Sequence, residues 1–247
     1  MNQYFKSESS GLRYHQYRPK VHDTAIEWLE LHCPNKIFGR SIDIACGTGD
    51  SLKPLLRISD DAMGIDISDE MLSVARAQKL PVVRCDYKNI AQLGSFDLLS
   101  TCMAFHWFDP DIAIESYKAA SNPDAVWLIY NFALVGHETS NVFNDWYLNR
   151  YLDKYPAPPR NNYEPVDLEK DETLRLLGKD RGWLPVLFDS ESLAGYLCTQ
   201  SNVEQRINEG CSQEEIFSEL KSEISVMDIK GNFKYHFTYE IHQVIKD

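Results

Sequence analysis

The stretch Ile42-Asp43-Ile44-Ala45-Cys46-Gly47-Thr48-Gly49-Asp50 constrains the fold more than any other part of the chain. Ser41 to Ala45 is a short apolar run interrupted by one acid, and a turn built on Gly47 and Gly49 follows it. A run of that length, closed by glycines, reads as a buried strand of a parallel sheet. Asp50 to Ile58 reads as the helix leaving the turn. Strand, glycine turn and helix together make an anion or cofactor site. Glycines let a ligand approach the backbone, and a helix N-terminus offers free N–H groups and a positive dipole end.

A second apolar run, Ala62-Met63-Gly64-Ile65-Asp66-Ile67, also carries an acid near its end. Asp66 lies where a βαβ nucleotide fold places the carboxylate that accepts ribose hydroxyls, roughly 20 residues beyond the turn. The dinucleotide fingerprint requires a third glycine for close helix packing, and this chain has Leu52 there. That counts against a nicotinamide dinucleotide. Asp43, a carboxylate inside the first strand, suits a ligand with an ammonium group better than a pyrophosphate.

On these residues the chain resembles the class I S-adenosylmethionine-dependent methyltransferases. The matching strings are Asp43-Ile-Ala-Cys-Gly-Thr-Gly49, Gly64-Ile-Asp-Ile-Ser68, Arg84-Cys-Asp86 and Phe96-Asp-Leu-Leu-Ser100, within residues 37 to 132. Ala45 stands where many members carry the first glycine of the turn. Ala104-Phe-His-Trp-Phe108 and Tyr17-Arg-Pro19 resemble the small-molecule branch that contains trans-aconitate methyltransferase.

The resemblance implies an α/β, Rossmann-like, doubly wound sheet of seven strands, mostly parallel with an antiparallel last strand. S-adenosyl-L-methionine is the implied cofactor. Asp43 would take its ammonium, the Gly47–Gly49 turn would approach the methionine part, Asp66 the ribose and Asp86 the adenine amine. Ala45, Ile67, Tyr87 and Met103 are also carried over as cofactor-binding positions. Met71 either faces the adenine or fills core space, as methionine readily does. Tyr17 and Arg18 either hold the cofactor's carboxylate, with residues 1–32 folded over it, or pack a leading helix.

Composition narrows the class. The chain has 247 residues and a formal charge of −12, which argues against nucleic acid, because phosphate contacts need clustered Lys and Arg. The six cysteines form no C-x-x-C pair, so buried thiols in a reducing cytoplasm are expected rather than disulfides or zinc. No apolar leader and no run long enough to span a bilayer is present, so the expectation is a cytoplasmic protein that does not engage membranes. Its partner is then a small-molecule acceptor.

The remaining elements follow from local signals. A helix is expected over Val21–His32, a third strand over Pro81–Arg84, a fourth over Phe96–Cys102 and a fifth over Ala125–Phe132. Ser68 reads as the cap of a helix with Asp69 and Glu70 in its first turn, and Asp109-Pro110 as the start of another. Asp97 is assigned no chemistry. Asn141–Leu152 reads as a helix. Lys154–Pro185 contains Pro156, Pro158, Pro159 and Pro165 and shows no sustained period. A long irregular stretch inside a domain is usually a lid, so about 133–185 reads as a substrate cap inserted after the fifth strand of a single domain, 1–247. Ser201-x-x-Glu204 and Ser212-x-x-Glu215 match capping boxes, and Phe233 to His242 alternates as a strand.

Methyl transfer from a sulfonium needs alignment and dryness rather than a triad or a metal. The chain has no G-x-S-x-G, H-E-x-x-H or Walker loop. A carboxylate or phenolate acceptor attacks unaided, whereas an alcohol or neutral amine needs a base. His106 is the candidate base or acceptor-positioning group and Trp107 the candidate aromatic wall, both where the fourth strand opens. The alternative for both is that they seal the loop. For an acidic acceptor, Arg18, Arg150 and Arg160 are candidates by position. Two other readings remain: a non-catalytic module that binds the nucleoside and regulates a partner, and an NAD oxidoreductase.

Overall fold

Strands apolar on both faces must be covered on both sides, and that requirement organises the chain. Residues 8–157 and 167–245 are described in the computed structural model. In order they form α1 (Glu8–Tyr17), α2 (Thr24–His32), β1 (Phe38–Ile44), α3 (Leu52–Leu55), β2 (Ser59–Asp66), α4 (Asp69–Ala77), β3 (Val82–Arg84), β4 (Phe96–Cys102), α5 (Pro110–Ala119) and β5 (Ser121–His137). There follow α6 (Asn141–Trp146), α7 (Leu152–Lys154), β6 (Leu174–Val186), α8 (Ser190–Leu197), α9 (Ser201–Asn208), α10 (Gln213–Ser225) and β7 (Phe233–Val244). The sheet order is β3-β2-β1-β4-β5-β7-β6. All pairs are parallel except those that β7 makes with β5 and β6. This is the seven-stranded, mostly parallel sheet expected, with the last strand antiparallel.

The two-residue period of the strands sorts their side chains into two cores. Leu98, Val126, Leu128 and Tyr130 enter one, and Leu99, Trp127 and Ile129 enter the other. Trp127 is fully buried, and its indole N–H donates to Ser121 Oγ at 2.9 Å, so the ring leaves no unsatisfied donor. Its burial contributes about 2–3 kcal/mol. Asp97 accepts from the Arg40 N–H and from Asn122 Nδ2, both at 2.8 Å, a structural tie between strands.

Four local readings change. The helix after the glycine turn is a single turn, α3, because the chain must return at once to let Ile58 O accept from Phe38 N at 2.9 Å. β5 continues to His137, held by antiparallel pairing with β7 as far as Phe233. The stretch read as irregular ends in β6. That strand lies at the sheet edge, largely exposed and rich in charge, so it shows no two-residue period. The helix over 141–152 becomes α6, a π-helical turn Tyr147–Tyr151, and α7. Pro158, Pro159, Pro165 and Arg160 lie outside the described residues, as do Tyr4 and Phe5. No helix among the described residues is long and apolar enough to cross a membrane.

Side-chain caps set half of the helix starts among the described residues. Ser68 Oγ accepts from Met71 N, Asp109 from Ile112 N and Ser212 from Glu215 N. The box expected at Ser201 does not form: Gln200 occupies the cap, and Glu204 turns inward instead. Its carboxylate, almost wholly buried, pairs with Arg13 of α1 and accepts from Ser10 Oγ at 3.0 Å. This buried pair anchors the leading helix to α9. Removing one partner of such a pair strands the other charge away from water, at a cost of about 3–5 kcal/mol. Glu204→Ala should therefore lower stability by about 3 kcal/mol in urea unfolding, while Arg13→Met with Glu204→Leu should recover most of it. A single variant within about 1 kcal/mol of the parent would refute the anchoring role.

Candidate active site

The carboxyl ends of β1 and β2 meet at the glycine turn. Gly47 and Gly49 adopt φ +54° and +83°. A Cβ on Gly49 would lie 2.3 Å from Leu80 Cδ1, and one on Gly47 would lie 3.1 Å from Met71 Cε. Both positions therefore need glycine, for backbone shape and for space. Ala45 also has positive φ, +59°, and carries the strain that a glycine would avoid.

Asp43 points from the centre of the sheet and is completely buried. Its Oδ2 accepts from Ser51 Oγ at 2.6 Å, and its Oδ1 has no partner among the described residues. Burial pushes its pKa up to about 7; the Ser51 hydrogen bond opposes this and the Asp66 charge adds to it. A buried acceptor atom without a donor fits an ammonium group. Asp66, at the end of β2, accepts from Gly47 N and Ser68 N, both at 2.9 Å. Burial raises its pKa, and the N–H groups of Ser68, Gly47 and Ile67 oppose the rise.

Asp86 follows β3 and caps the 3-10 helix Tyr87–Leu93 by accepting from Lys88 N at 3.1 Å, leaving its other oxygen unused by the cap. Ile67 lies beside Asp66, and its carbonyl accepts from Arg84 Nε at 3.2 Å. Tyr87 is buried, stacked on Phe108 with centroids 4.1 Å apart, and its hydroxyl accepts from Asp109 N. Met71 is buried beneath Gly47. The fold thus brings Asp43, Gly47, Asp66 and Met71 together, with Asp86 on the neighbouring strand. That set, an orphaned buried carboxylate oxygen beside a glycine turn and a strand-end acid, fits an amino-acid nucleoside.

The leading segment is pinned to this turn. Asp50 accepts from Lys20 Nζ at 2.7 Å and Lys53 Nζ at 2.9 Å, with His15 Nδ1 at 3.0 Å. Burial works against its ionisation, but Lys20, Lys53 and His15 hold its pKa down at about 2. Arg18 is buried, donates to Thr199 O at 2.9 Å, touches Met103 Sδ at 3.8 Å and pairs with no carboxylate among the described residues. Tyr14 and Tyr196 flank its guanidinium at 4.6 and 5.2 Å. Met103, just past β4, has φ +56°. Tyr17 goes elsewhere: its ring lies against Gly195 of α8 and 6.3 Å from Phe217 of α10. This is the packing alternative for Tyr17, imposed because α1 must seal against α8.

His106 and Trp107 stand side by side, half-buried, on the 3-10 turn Phe105–Trp107, with ring centroids 4.8 Å apart. Arg150 is corrected as a candidate: it is exposed and pairs with Glu223 at 2.6 Å on the outer side of α10. Ser51, the partner of Asp43, was missed, although its place in the turn was visible. His22 was missed too. Its partner is Cys102, eighty positions away, and no local pattern announces such a pair. No cluster of three or more His, Cys, Asp or Glu suited to a metal occurs among the described residues.

The chain is similar to known proteins over part or most of its length. Residues 42–142 match the family model described as Methyltransferase domain. The trans-aconitate 2-methyltransferase of Deinococcus radiodurans is 35% identical over 102 residues, which cover 40% of this chain and 39% of that protein. This chain thus matches about two fifths of that relative's length. A proposed methyltransferase of Dictyostelium discoideum is 22% identical over 87% of this chain and 83% of its own. The solved structure of a proposed type II methyltransferase from Anaeromyxobacter dehalogenans superposes with a TM-score of 0.59 at 19% identity, over 93% of this chain and 98% of that one, and shows the same fold.

Two measurements test the turn. Asp43 binds its proton more tightly folded than unfolded, so it favours the folded state below the unfolded value. That contribution is lost as pH rises from about 4 towards 7, at about 1.4 kcal/mol per unit. Asp43→Asn should abolish that slope in unfolding experiments across the interval; an unchanged slope would place the proton elsewhere. Ala45→Gly relieves an αL alanine, worth about 1–2 kcal/mol, against about 0.5–1 kcal/mol of added chain entropy. The net expectation is a melting temperature higher by a few degrees, and a lower one would show that the alanine is unstrained.

Proposed function

We propose, for a chain that carries a class I S-adenosyl-L-methionine-dependent methyltransferase domain, that it moves a methyl group to an oxygen of a small molecule, a carboxylate or a hydroxyl. The observation that carries this reading is the buried, unpartnered Oδ1 of Asp43 beside the Gly47–Gly49 turn. S-adenosyl-L-methionine supplies, when bound, a methyl group made electrophilic by its sulfonium. The chain's own residues then bind, orient and exclude water.

In this proposal Asp43 takes the ammonium, which also favours its ionised form. Asp66 accepts the ribose hydroxyls while its Gly47 and Ser68 contacts hold it in place. Asp86 accepts from the adenine amine through the oxygen its cap leaves unused. Ala45, Ile67, Met71, Tyr87 and Met103 shape the walls. Arg18, a buried cation without an acid among the described residues, pairs with the carboxylate of the amino-acid end; Tyr17 supports it only by packing α1. His106 acts as base when the acceptor is a hydroxyl and Trp107 as the wall beside it. The cap read over about 133–185, apart from its ends in β5 and β6, contributes to acceptor choice. The relative's name, a trans-aconitate methyltransferase, supports an acidic acceptor.

Thermal denaturation with S-adenosylhomocysteine or NADH tests the donor site. The expectation is a clear rise in melting temperature with the first and none with the second. Asp43→Asn should weaken S-adenosylhomocysteine binding at least tenfold, about 1.4 kcal/mol, and flatten the rise in affinity expected between pH 5 and 7. Methyl transfer to a panel of acids and phenols tests the activity. Tight binding without turnover on any of them would favour the regulatory module instead.

A further inference from the structure

His22 stands at the carboxyl end of β4, outside every role assigned above. Its Nδ1 lies 3.7 Å from Cys102 Sγ. Its ring meets Tyr130 and Phe132 of β5 edge-on, with centroids 6.3 and 5.8 Å away at 74° and 81°. Nε2 makes no hydrogen bond among the described residues. The imidazole is therefore held on three sides by β4 and β5 and keeps one nitrogen for something else.

One of the two neutral tautomers fits its neighbours. Burial pushes the Cys102 thiol well above its usual range, and the nearby Asp43 charge adds to this, so the sulfur keeps its hydrogen. A protonated thiol 3.7 Å from Nδ1 is a weak donor that one imidazole tautomer accepts from. In a neutral imidazole the hydrogen then sits on Nε2. Burial keeps the ring neutral, with a pKa lowered to about 4. Asp50 and Asp23 oppose that shift, and Lys20 and Arg18 reinforce it. Asp50 is already neutralised by Lys20 and Lys53, and Asp23 pairs with Arg57 at 2.6 Å. With Nδ1 accepting, the nitrogen left free is a donor.

We propose that His22 is an acceptor-binding residue whose Nε2–H donates to a carboxylate oxygen of the methyl acceptor. This rests on the methyltransferase reading above and narrows its acceptor to a carboxylic acid. A neutral N–H holds one oxygen of the carboxylate without quenching the nucleophilicity of the other. No base is needed, because the acid arrives already ionised. A histidine with the opposite tautomer would favour a hydroxyl acceptor instead, since Nε2 would then accept.

The first test needs no ligand. Long-range 1H–15N spectra of imidazole-labelled protein should show His22 neutral and protonated on Nε2 from pH 5.5 to 8. A ring protonated on Nδ1, or one that titrates within that interval, would overturn the proposal. The second test measures binding of trans-aconitate and benzoate to the protein saturated with S-adenosylhomocysteine. At least one should bind and shift the His22 Nε2 resonance. His22→Phe should weaken that acid at least tenfold, and His22→Gln, whose amide N–H reaches a similar place, should stay within about threefold of the parent. Equal affinity in all three proteins, or no binding of either acid by the parent, would sink it. Failure of S-adenosylhomocysteine to bind would instead count against the donor site, so the two readings fail separately.

Discussion

A carboxylate with no access to water, set in an interior strand of a seven-stranded sheet, is the constraint around which this molecule is arranged. Asp43 lies in β1, flanked on either side by β2 and β4. Isolated burial of a charge is costly, so the group either holds a proton or meets a cation. One hydrogen bond from Ser51 satisfies half of it. In the proposed function, the remaining oxygen is where a positively charged ligand gains stability that the protein alone does not supply.

Much of the surrounding architecture serves to keep that end shaped and dry. The glycine turn passes so close to α4 and the loop after it that a side chain at Gly49 would collide with Leu80 and one at Gly47 would crowd Met71. Asp50 gathers Lys20, Lys53 and His15 and so ties the chain ahead of α2 to the same turn. Arg13 and Glu204 fix α1 from its other side. Two acid–base clusters, one at each end of the leading segment, hold Arg18 and His22 over the ends of β4 and β5.

The readings that survived rest on short-range chemistry. Glycines at two turn positions, an acid at a strand end and serine or aspartate before a helix each act within a few residues, so a linear pattern displays them. The readings that changed depended on distant partners. Glu204 matched a capping box, yet Arg13 drew it inward, because an unpaired buried arginine costs more than an unfilled cap. β6 showed no alternation because an edge strand is wet on most of its surface. Tyr17 and Arg150 stood near plausible positions in sequence, but packing on α8 and pairing with α10 sent them elsewhere.

By itself the sequence displayed β1 to β5 and β7 in order, with the glycines and acids at the carboxyl ends of β1 and β2, since periodicity and backbone sterics operate locally; the antiparallel setting of the last strand came from the family resemblance. Tertiary structure alone decided that, among the described residues, one oxygen of Asp43 lacks a donor and Arg18 is buried without an acid, and that a thiol on β4 faces a histidine beyond α1. Those properties arise from what the fold excludes from water and from which remote groups it presses together.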